Sequence, residues 1–255
     1  LEDIVSTIEA HGNETALVFF SGLQYYTGQF FNLKKIAEAG HRVGAFVGFD
    51  LAHAIGNVPL HLHRDEVDFA VWCSYKYLNS GSGGIGGAYI HEKNSKRTDM
   101  NRFAGWWGYN LGDRFKMQKG FVPMEGIDGW QLSTVPVFQS AAHLAALAVF
   151  EEATFAALRK KSIQLTGYLE FLLRTIDPLE IHFTILTPKQ KNERGCQLSL
   201  YMKHDGKKIY QALHQHGVFA DWREPNVIRV APTPMYNRFE EVYTFVQILA
   251  KLLAC

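Results

Sequence analysis

The sequence predicts an α/β fold: a mainly parallel sheet flanked by helices, followed by a smaller C-terminal α+β domain. Three observations carry that prediction. Residues 15–21 (TALVFFS) and 43–50 (VGAFVGFD) are short, continuously apolar runs, the pattern of parallel strands buried on both faces, and a helical stretch lies between them as a crossover. A third apolar run, residues 69–72, passes through Cys73, Ser74 and Tyr75 to Lys76 and then breaks into a glycine-rich loop. Beyond residue 176 the order changes to short strands interleaved with two helices, an α+β arrangement.

A chain of 255 residues with 47% hydrophobic residues buries a sizeable core, as one large and one smaller domain. Its 26 basic and 25 acidic residues give a net charge of +1 of mixed sign, so no basic face for nucleic acid is present. No apolar run is long enough to span a bilayer. The cysteines, Cys73, Cys196 and Cys255, are odd in number and lack metal-type spacing, which points to a reducing, cytoplasmic compartment. The first residue is Leu1, in a helical pattern already under way, so the expectation is a piece of a longer protein.

Taken in order, residues 1–11 set Leu1, Ile4, Val5 and Ile8 at helical spacing, with Gly12 as the C-terminal cap. Ser21 ends the first strand. Asn32 is the N-cap of LKKIAEAGHR, and Asp50 ends the second strand. His61 and His63 alternate on what reads as a short strand; an H-x-H pair can bind a metal, but no further ligand set stands out, and edge-strand histidines explain them equally. Residues 88–93 form a short strand, 94–102 a polar surface segment, and RFAGWWGYNLGDRFKM an aromatic, glycine-containing loop. Pro136 starts a long apolar helix, Thr154 caps a second, and Asp177-Pro178 stops it near Ile176. The domains expected are residues 1–136, part of a large ligand-binding domain; 137–176, connecting helices; and 177–255, a small domain.

The chemistry gathers at strand ends. Burial disfavours a charged ammonium, and a neutral amine is what attacks a carbonyl to form an imine. A lone lysine more often snorkels into solvent. Lys76, however, shares its setting with Asp50, and a lysine with a carboxylate is the pair that pyridoxal phosphate (PLP) chemistry needs, one for the aldehyde and one for the ring nitrogen. Parallel sheets bind ligands outside the carboxyl ends of their strands, where Ser21, Asp50 and Lys76 gather. Gly81, Gly83 and Gly86 match the G-x-G-x-x-G dinucleotide fingerprint, but GGAYIHEK continues as a strand and offers no helix N-terminus to a pyrophosphate. In VIRVAP, Arg229 reads either as a clamp for a carboxylate or as a solvent-face arginine; Arg223 is the weaker candidate for the clamp.

The segments FFSGLQYYTGQFFNL, VGFDLAHAIGNVPL, DFAVWCSYKYLNSGSGGIGGAYIHEK, RFAGWWGY, RGCQLSL and IRVAPTPMYN resemble the kynureninase family from about residue 16 to the C-terminus. The resemblance implies a fold-type-I, PLP-dependent transferase-like architecture lacking an N-terminal part here. It implies hydrolysis of L-kynurenine or 3-hydroxy-L-kynurenine to L-alanine and anthranilate or 3-hydroxyanthranilate, in tryptophan catabolism and NAD biosynthesis. It assigns catalysis to Lys76, Tyr75 and Asp50, and cofactor contacts to Ser21, Asp50, His53, Tyr75, Lys76, Trp106 and Thr134. Substrate contacts fall to His53, Tyr109, Thr134 and Arg229. Trp106 would reach the cofactor across a homodimer interface. Without the resemblance, Ser21 reads equally as a turn serine, His53 as a surface histidine and Trp106 as packing. The sequence departs from the animal enzymes at Tyr109, where they typically carry histidine, and at Thr134, where they carry asparagine; packing and helix initiation are the alternative roles. An inactive homologue kept as a dimeric scaffold and a metal-binding protein using His61 and His63 are the competing functions.

Overall fold

The apolar runs pair into one sheet. The computed structural model describes residues 1–97 and 99–254; Cys255 lies outside them. They form two units, Leu1–Gly22 with Asn32–Ile55 and Leu60–Ala148, and Leu23–Phe31 with Gly56–Pro59 and Val149–Cys255.

In the first unit, helix α1 (Glu2–Ala10) precedes β1 (Leu17–Ser21), α2 (Leu33–Arg42), β2 (Phe46–Asp50), β3 (Phe69–Cys73), β4 (Gly86–Ile90) and the short α3 (Glu92–Ser95). The sheet order is β1-β2-β3-β4, with β1, β2 and β3 parallel and β4 antiparallel to β3. Helix α2 starts where Asn32 Oδ1 accepts the Lys35 N–H at 3.1 Å, and it buries Leu33, Ile36, Ala37, Ala39 and Gly40. A Cβ on Gly40 would run into Val47, so the missing side chain is what lets α2 close on β2.

Three expectations change. Helix α1 ends at His11, and residues 12–14 continue as a 3₁₀ turn; Gly12 serves close approach, since a Cβ there would lie 2.7 Å from Val43 Cγ1. Residues 61–66 form turns, closed by Asp65 N–H to His61 O at 2.8 Å and Glu66 N–H to His63 O at 3.1 Å, because local backbone bonds replace strand pairing. His63 there bonds Glu92 Oε1 at 3.0 Å and stacks on His91 at 4.7 Å. The segment after β4 is not uniformly surface: Asn94 is buried and donates to Asp68 Oδ1 at 2.9 Å.

Asp68 is the polar anchor of this unit. Its carboxylate, 4% exposed, accepts Val47 N–H at 2.7 Å, meets His41 Nε2 at 2.8 Å and lies 3.2 Å from Lys93 Nζ. Burial alone would raise its pKa, but the hydrogen bonds from Val47, His41, Asn94 and Lys93 outweigh burial and hold it below its ordinary 3.8. A carboxyl with a depressed folded-state pKa contributes stability that is complete above its unfolded pKa and lost as pH falls through the folded value. Asp68→Ala therefore costs about 3 kcal/mol at neutral pH, the low end for breaking a buried pair because His41 and Lys93 still reach water. Urea titrations of parent and variant should show that gap narrowing below pH 4; a gap independent of acid would show that Asp68 stabilises by packing alone.

The second unit holds α5 (Phe155–Ile176), β5 (Phe183–Ile185), β6 (Leu198–Met202), α6 (Gly206–Gln215), β7 (Asp221–Arg223), β8 (Val227–Val230) and α7 (Phe239–Leu253), preceded by the end of α4 (Val137–Ala153). Its sheet, β5-β6-β8-β7, is antiparallel throughout. Leu165, Leu169 and Leu173 of α5 pack with Leu198, Leu200, Ile228, Val242, Val246 and Leu249 into one core. Thr154 caps α5 through the Ala157 N–H, and Asp177 both ends the helix and accepts the N–H groups of Ile181, His182 and Phe183. The early segments join this unit by long-range bonds. Thr187 Oγ1 donates to Thr27 O at 2.6 Å, Ser199 Oγ to Tyr26 O at 2.6 Å, Gln197 Nε2 to Tyr25 O at 2.9 Å, and Cys196 N–H to Asn57 Oδ1 at 2.9 Å. No single helix among the described residues is long and apolar enough to cross a membrane.

Candidate active site

The parallel register places Ser21 beside Asp50 and Asp50 beside Val71, so β1 and β2 end level with each other. Gly22 N–H donates to Asp50 O and Leu51 N–H to Val71 O, both at 2.8 Å, extending the ladder one residue past the strands. The exposed Asp50 side chain folds back to accept Ala52 N–H on Oδ1 at 2.8 Å, which anchors the carboxylate through one oxygen. His53 follows in that turn, its ring 6.1 Å from the Tyr77 ring.

Strand β3 stops at Cys73, and the chain bends through Tyr75 and Lys76. The bend is held from behind. Ser74, wholly buried, meets Ser80 Oγ at 2.6 Å and donates to Ile85 O, while Ser80 N–H returns to Ser74 O at 3.2 Å. Asn79, at φ 56°, closes the turn by donating its N–H to Lys76 O at 3.2 Å. A Cβ on Gly84 would collide with Ser80 Oγ, so Gly84 makes room for this serine clamp, and the loop leads into β4 rather than into a helix. Lys76 Nζ lies 5.9 Å from the centroid of the half-exposed Tyr75 ring. The Tyr75 phenol is pushed above its ordinary value first by its hydrogen bond to Cys73 and the electrostatic influence of that neighbour, then by burial and by the Asp50 carboxylate. Tyr75 thus keeps its proton and stays a donor.

Ser21 and Asp50 thus end β1 and β2 side by side, and Tyr75 and Lys76 follow the end of β3 at the same carboxyl edge of the sheet, with His53 in the turn after β2. Trp106, Tyr109 and Thr134 lie elsewhere in the same unit. Arg114 knits their loop: its Nη2 donates to Trp107 O at 2.7 Å and Tyr109 O at 3.2 Å, and its guanidinium lies 5.7 Å from the half-exposed Trp106 ring. Tyr109 packs edge-on against Phe121 at 5.7 Å, yet its hydroxyl is buried with no hydrogen-bond partner among the described residues. Thr134 is exposed and stands three residues before α4, outside the capping position.

Arg229 belongs to the second unit. It is 8% exposed on β8, opposite Asp221 of β7, so it is not a solvent-face arginine. Its Nη2 donates to the Asp221 carboxylate and its Nη1 to Tyr25 O at 2.6 Å. Arg223, more exposed, lies 3.0 Å from the same carboxylate. Arg229 and Asp221 line a cleft of about 740 Å³ together with Phe219, Pro232, Tyr236 and Arg238.

Among the described residues no group of three or more His, Cys, Asp or Glu side chains is placed to hold a metal. The amine, carboxylate, phenol and hydroxyl at the sheet edge instead suit a cofactor with an aldehyde carbon, a basic ring nitrogen and an anionic group. Sequence reading missed Cys73 as the partner of Tyr75, the Ser74–Ser80 clamp, and Asp221. The serines flank the glycine loop in plain view, whereas Asp221 becomes visible only once the β7–β8 register is known.

Residues 158–249 match the family profile described as the kynureninase C-terminal domain. Kynureninase from Flavobacterium psychrophilum is 53% identical over 252 residues, 98% of this chain and 59% of that protein. Kynureninase from Rattus norvegicus is 48% identical over 259 residues, 99% of this chain and 56% of that protein. The chain thus spans under two thirds of the length of these relatives. Among solved structures, a mutant of the cystine C–S lyase C-DES with glycine covalently linked to its PLP cofactor superposes with a TM-score of 0.77 at 24% identity, over 96% of this chain and 63% of that one. That likeness establishes that the chain shares the α/β fold of that enzyme.

Proposed function

We propose, from the premise that this chain is homologous to the kynureninases over nearly its whole length, that it carries the lysine and the ring-nitrogen acid of a PLP-dependent hydrolase. Its substrates would be L-kynurenine and 3-hydroxy-L-kynurenine, its products L-alanine and anthranilate or 3-hydroxyanthranilate. The observation that carries this reading is the convergence of Asp50 and Lys76 at the carboxyl ends of neighbouring parallel strands.

When bound, PLP supplies a protonated pyridine ring able to accept electrons from the substrate. Lys76 Nζ would hold the aldehyde carbon and would move protons at the substrate Cα. The Asp50 carboxylate would keep a proton on the ring nitrogen. Tyr75 and Ser21 would supply hydroxyl donors to the phosphate, and His53 would contribute a further cofactor contact. Arg229 takes the substrate α-carboxylate as a charge-assisted pair. On the same reading the protein is a cytoplasmic homodimer in which Trp106 reaches the partner's cofactor; the half-exposed indole in the loop that Arg114 knits supports it.

The assay is release of L-alanine and the matching anthranilate by the full-length, PLP-loaded protein, and a protein that releases neither from either substrate overturns the proposal. The same assay reads the ring pocket. The buried Tyr109 hydroxyl lacks a partner among the described residues, the state of a group that waits for one from a ligand. Tyr109→His with Thr134→Asn should shift the kcat/KM ratio of the two substrates by about 1–3 kcal/mol, roughly 5- to 150-fold, the cost of leaving one buried polar group unpaired. If the ratio stays put, these two residues do not read the ring.

A further inference from the structure

Arg229 does not wait in the cleft as a mobile side chain. It projects from β8, is buried to 8% exposure and is gripped at both ends of its fork, Nη1 by Tyr25 O at 2.6 Å and Nη2 by the carboxylate of Asp221. The Tyr25 grip is itself braced, because the same carbonyl accepts Gln197 Nε2 at 2.9 Å. The Asp221 grip comes from the strand register, in which Asp221 and Arg229 are direct cross-strand partners. Asp221 also lies 3.0 Å from Arg223 Nη2, so two guanidinium groups share one carboxylate and the cluster keeps a net positive charge. That balance decides the sign of the effect: a lone carboxylate beside Arg229 would repel an incoming anion, whereas this one fixes the plane of the guanidinium without cancelling its field.

We propose that Asp221 is a positioning residue: it holds the Arg229 guanidinium in the orientation that receives the substrate's α-carboxylate, and so sets the preference for amino acids over amines lacking that group. The proposal rests on the reading of Arg229 as the carboxylate-binding residue. Bidentate recognition of a carboxylate depends on the plane of the guanidinium, and a fork fixed in advance loses less freedom when the ligand arrives. Asp221 touches neither cofactor nor reacting atoms on this view; it acts through Arg229.

The test uses the full-length, PLP-loaded protein and two ligands that differ only in the carboxylate, L-alanine and ethylamine, with binding followed by the absorbance of the bound cofactor. Asp221→Ala should weaken L-alanine about tenfold, the loss expected when one charge-assisted hydrogen bond stops orienting its partner, and raise KM for kynurenine alike. Ethylamine affinity should stay within about twofold and kcat within about threefold, since only recognition of the carboxylate is touched. Asp221→Asn keeps an oxygen acceptor and should recover L-alanine affinity to within about threefold of the parent. Parallel weakening of L-alanine and ethylamine would make Asp221 a general structural residue and overturn the proposal. Unchanged or tighter L-alanine binding would overturn it too, the latter because Asp221 would then be competing with the ligand. Arg229→Ala separates the two levels. If it leaves the preference for L-alanine over ethylamine intact, the carboxylate reading of Arg229 itself fails; if it abolishes the preference while Asp221→Ala does not, only the positioning role is lost.

Discussion

Lys76→Ala should abolish covalent capture of PLP. After borohydride reduction, peptide mapping of the parent places the cofactor label on Lys76, and the variant carries none. The reason lies in what surrounds the competing amines. Lys93 Nζ is tied to Glu66 and Asp68 at 3.3 and 3.2 Å, and Lys116 Nζ to Asp113 at 2.6 Å, whereas Lys76 is presented from the bend that the Ser74–Ser80 clamp holds behind β3. Turnover should fall by about 10²–10⁴, the contribution of a positioned general acid–base, beyond the loss of cofactor attachment. A label found on Lys93 or Lys116 would move the site off the sheet edge.

Asp50→Asn should separate binding from chemistry. The amide oxygen can still accept Ala52 N–H, so the turn after β2 survives and PLP affinity should change only a few-fold. An uncharged amide cannot hold a proton on the ring nitrogen, and kcat should fall by about 10²–10³, the scale of removing one preorganised electrostatic contact. Fluorescence titration with PLP and turnover of kynurenine, measured on the same preparations, give the two numbers. Near-parental turnover would leave Asp50 a structural residue of its turn.

The strands and most helix ends were legible because their signals are local. Continuous apolar runs announce β1, β2 and β3, and Asn32, Thr154 and Asp177 mark helix ends by hydrogen bonds to backbone only a few residues away. Lys76 and Asp50 were legible as a pair because both end such runs. What stayed hidden depends on partners distant in sequence. Asp68 shows itself as an anchor only when His41, Val47 and Asn94 converge on it. The histidine pair at 61 and 63 misled because alternation was read as a strand where local bonds make turns. The mates of Arg229, Asp221 and Tyr25, required the β7–β8 register and a contact across 204 positions.

The bonds that tie residues 23–31 and 56–59 to the second unit bear on how the polypeptide is made. The carbonyls of Tyr25, Tyr26 and Thr27 are synthesised some 160 or more residues before Thr187, Gln197, Ser199 and Arg229, which bond them. At ribosomal speeds of about 5–20 residues per second, these early carbonyls wait on the order of ten seconds for those donors. A chain cut to the matched stretch 158–249 would never meet them. It would lose the bonds of the Ser199 hydroxyl to Tyr26 O, the Gln197 amide to Tyr25 O and the Cys196 N–H to Asn57, at about 0.5–1.5 kcal/mol apiece. The matched stretch is therefore not self-sufficient in hydrogen bonds: its sheet takes partners from residues 25–27 and 57, which are made well before it.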